Sequence, residues 1–466
     1  MDHMYNFTPK PENDRYCEEL RPRTLEERKV TPWGMGFIWF GPGVMITCFM
    51  TIPNLVPYYS VWELIVTFAL GITALILICT VIGDIGIKTG TPFGTTINAS
   101  FGPKGGQLVG IIRIAPGLAW FGLNAWYGGG ALNEITKILF GFDHRMIFIW
   151  AYGALACWIC IKGVKTIEKF AKVVTPLMVA VIVFLFVEVL KKYGINFADT
   201  LTMGGTEGHK PWIYNICVTI GGYTAIAIGF NDFTKDFKMS EKTIGSNWLK
   251  RNGKFCGVSV LLGVLGYTMC CTLATVCVVA SDGADALSLI TELASAKSIV
   301  LAVCFQLFIF VAQVSTITSA TLYPAVSVIV GLAPKKIKPA YACCAFAAAS
   351  LLLQPWNIAN LADFMMLLSA TGGSILGVIV VDYYIFRKGR YSMEALLTTR
   401  SKYYYSKGFN VAAMITYVVA TIPAVFSTDY GFLISIGVGM VLYYFLAKAM
   451  GRRYPAMVQE SGTTEV

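Results

Sequence analysis

Apolar residues in this chain fall in long uninterrupted runs, which recur from about residue 33 to about residue 450. Charged residues, Pro and Gly bound twelve of them, at approximately 33–57, 61–86, 108–138, 146–164, 170–195, 212–236, 255–281, 298–331, 340–356, 359–386, 408–427 and 430–450. A membrane crossing takes about 20 consecutive apolar residues, and lipid offers no partner for a bare backbone, so each run predicts a transmembrane helix. The expected fold class is an all-α polytopic membrane protein of twelve spans, with polar tails at 1–32 and 451–466.

Composition agrees with that pattern. Of 466 residues, 56% are hydrophobic and only 14% charged, whereas a soluble domain carries about a quarter charged residues. No stretch is left over for a separate soluble domain. Residues 1–32 are polar and rich in both charges up to Pro32-Trp33, so the first span is expected to be the insertion signal itself.

Lys and Arg fix the expected orientation. They cluster between spans six and seven (Lys235, Lys238, Lys242, Lys250, Arg251, Lys254), after span eight (Lys335, Lys336, Lys338) and after span ten (Arg387, Lys388, Arg390, Arg400, Lys402, Lys407). The loops at 57–60, 357–358 and 428–429 hold none. Both termini are therefore expected in the cytoplasm of a cell with this chain in its inner or plasma membrane. The net charge of +10 reflects that bias, not a nucleic-acid surface.

The thirteen cysteines lie mostly inside apolar runs and read as small hydrophobes, including the Cys157–Cys160 pair, which has no histidine nearby. His3, His144 and His209 fall in expected loops. No cofactor or catalytic cluster is expected, and an enzyme embedded in the membrane is disfavoured for want of one.

Two spans carry helix breakers. Span one reads Trp39-Phe40-Gly41-Pro42-Gly43-Val44, and span six reads Thr219-Ile220-Gly221-Gly222-Tyr223-Thr224 before Asn231-Asp232-Phe233. Pro removes a backbone donor and Gly relaxes φ, so unwinding is cheap at both places. Gly and Pro are also simply common in membrane helices. Interrupted helices five spans apart, however, are the mark of a carrier built from inverted repeats with its site at the midplane. The expected organisation is a first five-helix repeat over 33–195, a second over 212–388, and two extra helices over 408–450.

Trp120 and Asn124 of span three are four residues apart and share one helix face. An indole offers a flat surface and an amide both a donor and an acceptor, a pair suited to a planar heterocycle. Either residue could instead serve helix packing. Span eight reads Ala312-Gln313-Val314-Ser315-Thr316-Ile317-Thr318-Ser319-Ala320-Thr321. Ser315 and Thr316 could offer oxygens to a small hard cation, with carbonyls of Ala312 and of span one near Gly41 and Val44. Such hydroxyls also bond back to the preceding helical turn.

Carboxylates are few in the spans, and Asp84, Glu134, Asp232, Asp363 and Asp382 fall near ends or breaks. Asp382, before Tyr383-Tyr384 and Arg387-Lys388, reads as an interfacial anchor, and Arg113 as pairing locally. The absence of a carboxylate pair or histidine relay favours sodium over a proton. A channel is disfavoured, since no repeated pore loop or ring of charges is visible.

The chain resembles the nucleobase–cation symporter family of cytosine, purine, allantoin and hydantoin permeases. The resemblance rests on Gly90-Thr91-Pro92, Ser100-Phe101-Gly102, Trp120-Phe121-Gly122, Gly222-Tyr223, Asp232-Phe233-Thr234-Lys235, Ser315-Thr316 and Gly377-Val378 through Asp382-Tyr383-Tyr384 and Arg387-Lys388. It implies a leucine-transporter-like fold and symport of a small heterocycle with a cation, by alternating access. By position it implies that Trp120 stacks on the substrate and Asn124 reads its edge. Gly222 and Tyr223 would form the span-six wall, and Ala312, Ser315, Thr316, Gly41 and Val44 would hold sodium. Where the family usually has a substrate-binding Asn in span eight, this chain has Thr321, which leaves the substrate open. A permease of the same fold for a vitamin or amino acid, coupled to protons, is the alternative.

Overall fold

The computed structural model describes residues 7–44, 51–162, 164–281, 286–357, 361–427 and 430–458. Their regular structure is helical. The β-pairing among them is confined to single bridges, such as Val30 with Phe237. The principal helices are α1 (Pro32–Gly43), α2 (Val61–Thr89), α3 (Phe93–Phe101), α4 (Pro103–Phe140), α5 (Arg145–Ile161), α6 (Val164–Tyr193), α7 (Trp212–Gly222), α8 (Thr224–Ile228), α9 (Trp248–Ala280), α10 (Ala286–Lys297), α11 (Ile299–Ile317), α12 (Tyr323–Leu332), α13 (Pro339–Leu353), α14 (Leu361–Val380), α15 (Val411–Phe426) and α16 (Gly431–Gly451).

Local sequence explains many of the boundaries. Pro32 opens α1 at the position where its missing N–H costs nothing. Glu63 reaches back to the Ser60 backbone N–H at 3.0 Å to close a capping box on α2. Gly90 ends that helix at φ 68°, a left-handed conformation that favours glycine, with its N–H on the Gly86 carbonyl at 2.8 Å.

Among the described residues, α2, α4, α9 and α16 are each long and apolar enough to cross a membrane. Span five coincides with the 30-residue α6, and the remaining expected spans coincide with helices that are shorter, or divided. Span six comprises α7, α8 and the single turn Asn231–Thr234. Span eight is divided by a π-helical segment, Thr318–Leu322, and span ten ends in another, Val381–Phe386. Two elements are absent from the apolar-run reading: α3, whose sequence is too short and polar to register as a span, and α10, which sits between spans seven and eight.

The helices pack in groups. Spans one, two, six and seven pack closely on one another, α1 lying against α9 and α2 against both α7 and α9. Spans three, four, eight and nine form a second group around α4, and α14, α15 and α16 a third. Close approach of α1 and α9 depends on glycine: a Cβ at Gly43 would lie 2.9 Å from the Tyr267 backbone nitrogen, and one at Gly266 2.9 Å from the Phe40 ring. Such small-residue contacts let helices approach closely in lipid.

The expected break at Gly41-Pro42-Gly43 takes a different form. The helix runs through Pro42 to Gly43, and the Val44 N–H still reaches the Phe40 carbonyl at 3.1 Å. Pro42 stands where its absent donor removes only one bond from the final turn, so it is tolerated there.

Candidate functional site

The discontinuity in span six is where the site is built. α7 stops at Gly222, and Tyr223 adopts φ −116°, ψ 10°. α8 runs for five residues and stops again at Gly229, with φ −125° and ψ 37°. Carbonyls released by such stops need donors. Arg113 of α4 supplies them: Nε donates to Ala225 O at 2.9 Å and Nη2 to Gly229 O at 3.3 Å. Its Nη1 donates to Asp232 Oδ2 at 2.7 Å, and the other carboxylate oxygen accepts from Phe93 N at 2.9 Å and Ser327 Oγ at 3.0 Å. The guanidinium also lies 4.4 Å over the Phe93 ring. Arg113 therefore does not pair locally: its carboxylate partner is 119 residues away. One buried ion pair joins span three to the last piece of span six, the start of α3 and span eight.

Two further pairs lie at the same end of the molecule. Arg251 bonds both oxygens of Asp84, and Asn252 Nδ2 adds a third bond at 2.7 Å, tying spans two and seven. Asp382 is fully buried and accepts from Arg387 Nε at 2.9 Å, Ser100 Oγ at 2.9 Å and Tyr443 OH at 3.2 Å. It is an internal junction between spans ten and twelve and α3, not an interfacial anchor. Sequence proximity to Tyr and Arg suggested a surface position, but the π-helical turn at 381–386 carries it inward.

Two of the residues expected to meet a substrate, Trp120 and Asn124, share one stripe of α4 with Arg113 and Gly117. Positions 113, 117, 120 and 124 are spaced by four, three and four, which places them along one face. Next to Gly117 stands Thr321, in the π-helical segment of span eight; its methyl is 3.2 Å from where a Cβ on Gly117 would sit. The structure thus brings Thr321 to the Trp120 face, one turn below the indole. Such π-bulges are often found at functional sites. Asn124 is 2% exposed. Its Nδ2 donates to Trp120 O at 2.8 Å, while Oδ1 accepts nothing among the described residues. Tyr223 is buried and meets Tyr267 edge-on at 6.1 Å. A Cβ on Gly222 would find no heavy atom within 4 Å, so the backbone is open there.

Of the residues expected to hold a cation, Ala312 and Val44 are buried at 2% exposure in the same apolar cluster, where α1 packs on α11. Thr316 Oγ1 donates to Ala312 O at 3.0 Å, the helical back-bond. The Ser315 side chain and the surroundings of Gly41 lie outside the described residues. Beside Ala312, Gln313 is 1% exposed, and its Nε2 has no acceptor among the described residues.

Sequence reading passed over Arg113, Asp232, Ser327 and Gln313 as site residues. A charged residue inside an apolar run was a usable signal for Arg113. Its partner lies three spans away in the broken helix, beyond any spacing rule.

Comparison with known proteins places this geometry. Residues 22–451 match the model of a family described as permeases for cytosine/purines, uracil, thiamine and allantoin. A hydantoin permease of Microbacterium maritypicum is 24% identical over 453 residues, 95% of this chain and 91% of that protein. The Arabidopsis thaliana purine-uracil permease NCS1 is 23% identical, covering 91% of this chain and 73% of the relative. Among solved structures, Mhp1, a nucleobase-cation-symport-1 family transporter in a closed conformation with bromovinylhydantoin bound, matches with TM-score 0.90 at 24% identity, covering 95% of this chain and 97% of that one. An inward-facing Mhp1 structure matches with TM-score 0.85, covering 95% of each chain, and a Na+-coupled sialic acid symporter with 0.63 at 14% identity, covering 93% of each. The all-helical fold is the leucine-transporter-like fold of these carriers.

Proposed function

Since the chain belongs to the family of permeases for cytosine/purines, uracil, thiamine and allantoin, we propose that it imports a small heterocycle bearing an N–H donor, together with sodium, by alternating access. It is a multi-pass membrane transporter and not an enzyme, as its relatives are. Its placement in the inner or plasma membrane, with both termini cytoplasmic, follows from the Lys and Arg of the loops at 235–254, 335–338 and 387–407. The two five-helix repeats over 33–195 and 212–388, with the pair over 408–450 added, belong to the same reading, and they make spans one and six equivalent.

The observation that carries the substrate class is the orientation of Asn124. Its amide nitrogen is committed to Trp120 O, which leaves a buried oxygen as the group offered beside the indole. A buried acceptor without a partner costs about 1–3 kcal/mol, and a ligand N–H recovers that. Trp120 would stack on the ring, Tyr223 would close the span-six side, and the open backbone at Gly222 would offer polar groups. Thr321 offers one hydroxyl in place of an amide, which suits a ring with fewer hydrogen-bonding edges.

Sodium between span one (Gly41, Val44) and span eight (Ala312, Ser315, Thr316) would favour the state that binds the heterocycle, and linkage makes the effect mutual. Uptake of radiolabelled hydantoin, allantoin, uracil, cytosine and adenine into proteoliposomes, with sodium or choline outside, tests the reading. Sodium-stimulated, saturable uptake of one of these is expected. Uptake indifferent to sodium would remove the coupling ion and favour the proton-coupled alternative, and binding only of acyclic amino acids or vitamins would remove the substrate class.

A further inference from the structure

The residues ahead of α1 bond to both helix groups across the end that carries the three buried ion pairs. On the side of spans one, two, six and seven, Val30 N donates to Asp236 O at 2.9 Å and Lys238 N donates to Val30 O at 2.7 Å. Arg28, 1% exposed, donates to Ile87 O at 2.6 Å near the end of span two. Arg23 N donates to Gly90 O at 2.8 Å. On the side of spans three, four, eight and nine, Arg15, 5% exposed, donates to Gly331 O at 3.0 Å, at the end of span eight. Thr95 Oγ1 of α3 donates to Leu20 O at 2.7 Å. Farther on, Asn13 Nδ2 donates to Thr398 Oγ1 at 2.9 Å and Thr399 N to Asp14 Oδ1 at 2.8 Å.

The chain between these two sets of anchors is itself folded. Arg21 pairs with both Glu18 and Glu27, Arg23 Nη1 reaches Glu18 at 2.7 Å, and Thr24 N donates to Glu27 at 2.9 Å. The segment is therefore a compact strap whose slack is taken up by its own ion pairs. We infer that residues 10–30 are a strap that locks the cytoplasmic end of the transporter shut, and that inward opening requires its Arg15–Leu20 half to leave span eight and α3.

The choice of half follows from connectivity. Val30 runs directly into α1 and pairs with the chain just after span six, so that half travels with spans one and six. The Arg15 and Leu20 contacts reach across to the other group, and they must break when the groups part at this end. Breaking them withdraws a buried guanidinium from its carbonyl acceptor and opens the face to water, so the docked strap favours the closed state. The inference rests on the alternating-access reading but not on any particular cargo.

The test uses the full chain with its thirteen native cysteines replaced by Ser or Ala, and spin labels at two exposed positions, Lys242→Cys after span six and Lys335→Cys after span eight. Arg15→Ala with Thr95→Val should raise the population of the longer inter-label distance at least about five-fold, while Arg15→Lys should leave it near the parent value. An unchanged distance distribution in the folded double variant overturns the lock. Hydrogen exchange on the unsubstituted protein gives an independent measure. Peptides over 13–20 should exchange about ten-fold or more faster than those over 28–31 and 236–239, and equal rates overturn the assignment of the releasing half. Neither measurement contains a substrate, so a wrong cargo would show in the uptake panel and leave these results standing.

Discussion

Arg113 in the third span and Asp232 in the last piece of the broken sixth form a salt bridge at 2.7 Å, with each side chain 1% exposed. Taking two charges out of water costs several kcal/mol each, and the loss is recovered only when geometry is good and the remaining groups are bonded. Here they are: Arg113 also caps the carbonyls of Ala225 and Gly229, and Asp232 accepts from Phe93 N and Ser327. Removing one charge strands the other. Asp232→Asn is expected to destabilise the protein by about 3–5 kcal/mol, read as a lower midpoint in thermal unfolding in detergent. Arg113→Met with Asp232→Leu should lose less than the two single variants together, because no lone charge is left.

Two glycines in span six should respond in opposite ways. A Cβ at Gly229 would lie 2.0 Å from Arg113 Cζ, whereas one at Gly222 meets nothing within 4 Å. Gly229→Ala must push the guanidinium off its acceptors, and overpacking of this kind costs about 1–3 kcal/mol. Gly222→Ala should leave the unfolding midpoint within about a degree or two of the parent, since surface-like changes stay within about 0.5 kcal/mol. It should nevertheless weaken heterocycle binding, because the methyl occupies the open face beside Tyr223. Paired thermal-shift and titration measurements separate the two effects, and equal destabilisation by both would contradict the geometry.

The span pattern was legible because lipid leaves so little choice: an apolar run of that length must be a helix, and the twelve runs meet helices or divided helices in the structure. The first break in span six was legible too, since Gly221-Gly222 sits where a membrane helix has no need of it, whereas the second stop at Gly229 needed coordinates. What could not be read was long-range pairing. Arg113 and Asp382 each look local in sequence, but their burial is decided by helices more than a hundred residues away or by a π-helical turn that rotates the chain. The strap was missed as well, because polar composition alone does not distinguish a solvated tail from one folded against a bundle. For the site, the i, i+4 spacing gave the shared face of Trp120 and Asn124, whereas the commitment of the Asn124 donor to Trp120 O needed coordinates.

That commitment makes a specific expectation about ligands. Asn124→Leu removes the acceptor and should raise the Kd of the preferred heterocycle about ten-fold, a loss of about 1.4 kcal/mol within the range for one buried hydrogen bond. Trp120→Ala should cost more, because stacking of a base on an aromatic ring is worth about 1–3 kcal/mol. Methylating the ring N–H that faces Asn124 should abolish most binding to the parent but cost little further in Asn124→Leu. Competition of N-methylated analogues against a radiolabelled parent compound in both proteins is the measurement. An N-methyl analogue that competes equally well with the parent would show that the amide oxygen does not read this edge.

The strap carries its own pH dependence through Glu27. Hydrogen bonds from Arg21, then one from the Thr24 backbone, hold this carboxyl well below the ordinary value of 4.5, at about 2. A depressed folded-state value means stability that is present above the unfolded value and lost as pH falls through the folded one. The ion pairs should therefore be intact at pH 5 and above and dissolve progressively between about pH 4.5 and 2. The carboxylate is 36% exposed, so solvent screens it and its contribution is about 1 kcal/mol or less. Glu27→Gln should loosen the strap at neutral pH, measured at pH 7 as a faster maleimide alkylation of half-buried Cys17 in a protein whose other cysteines are replaced by Ser or Ala. A Cys17 rate in Glu27→Gln identical to the parent at pH 7 would mean that the Arg21 bridge to Glu18 alone keeps the strap folded.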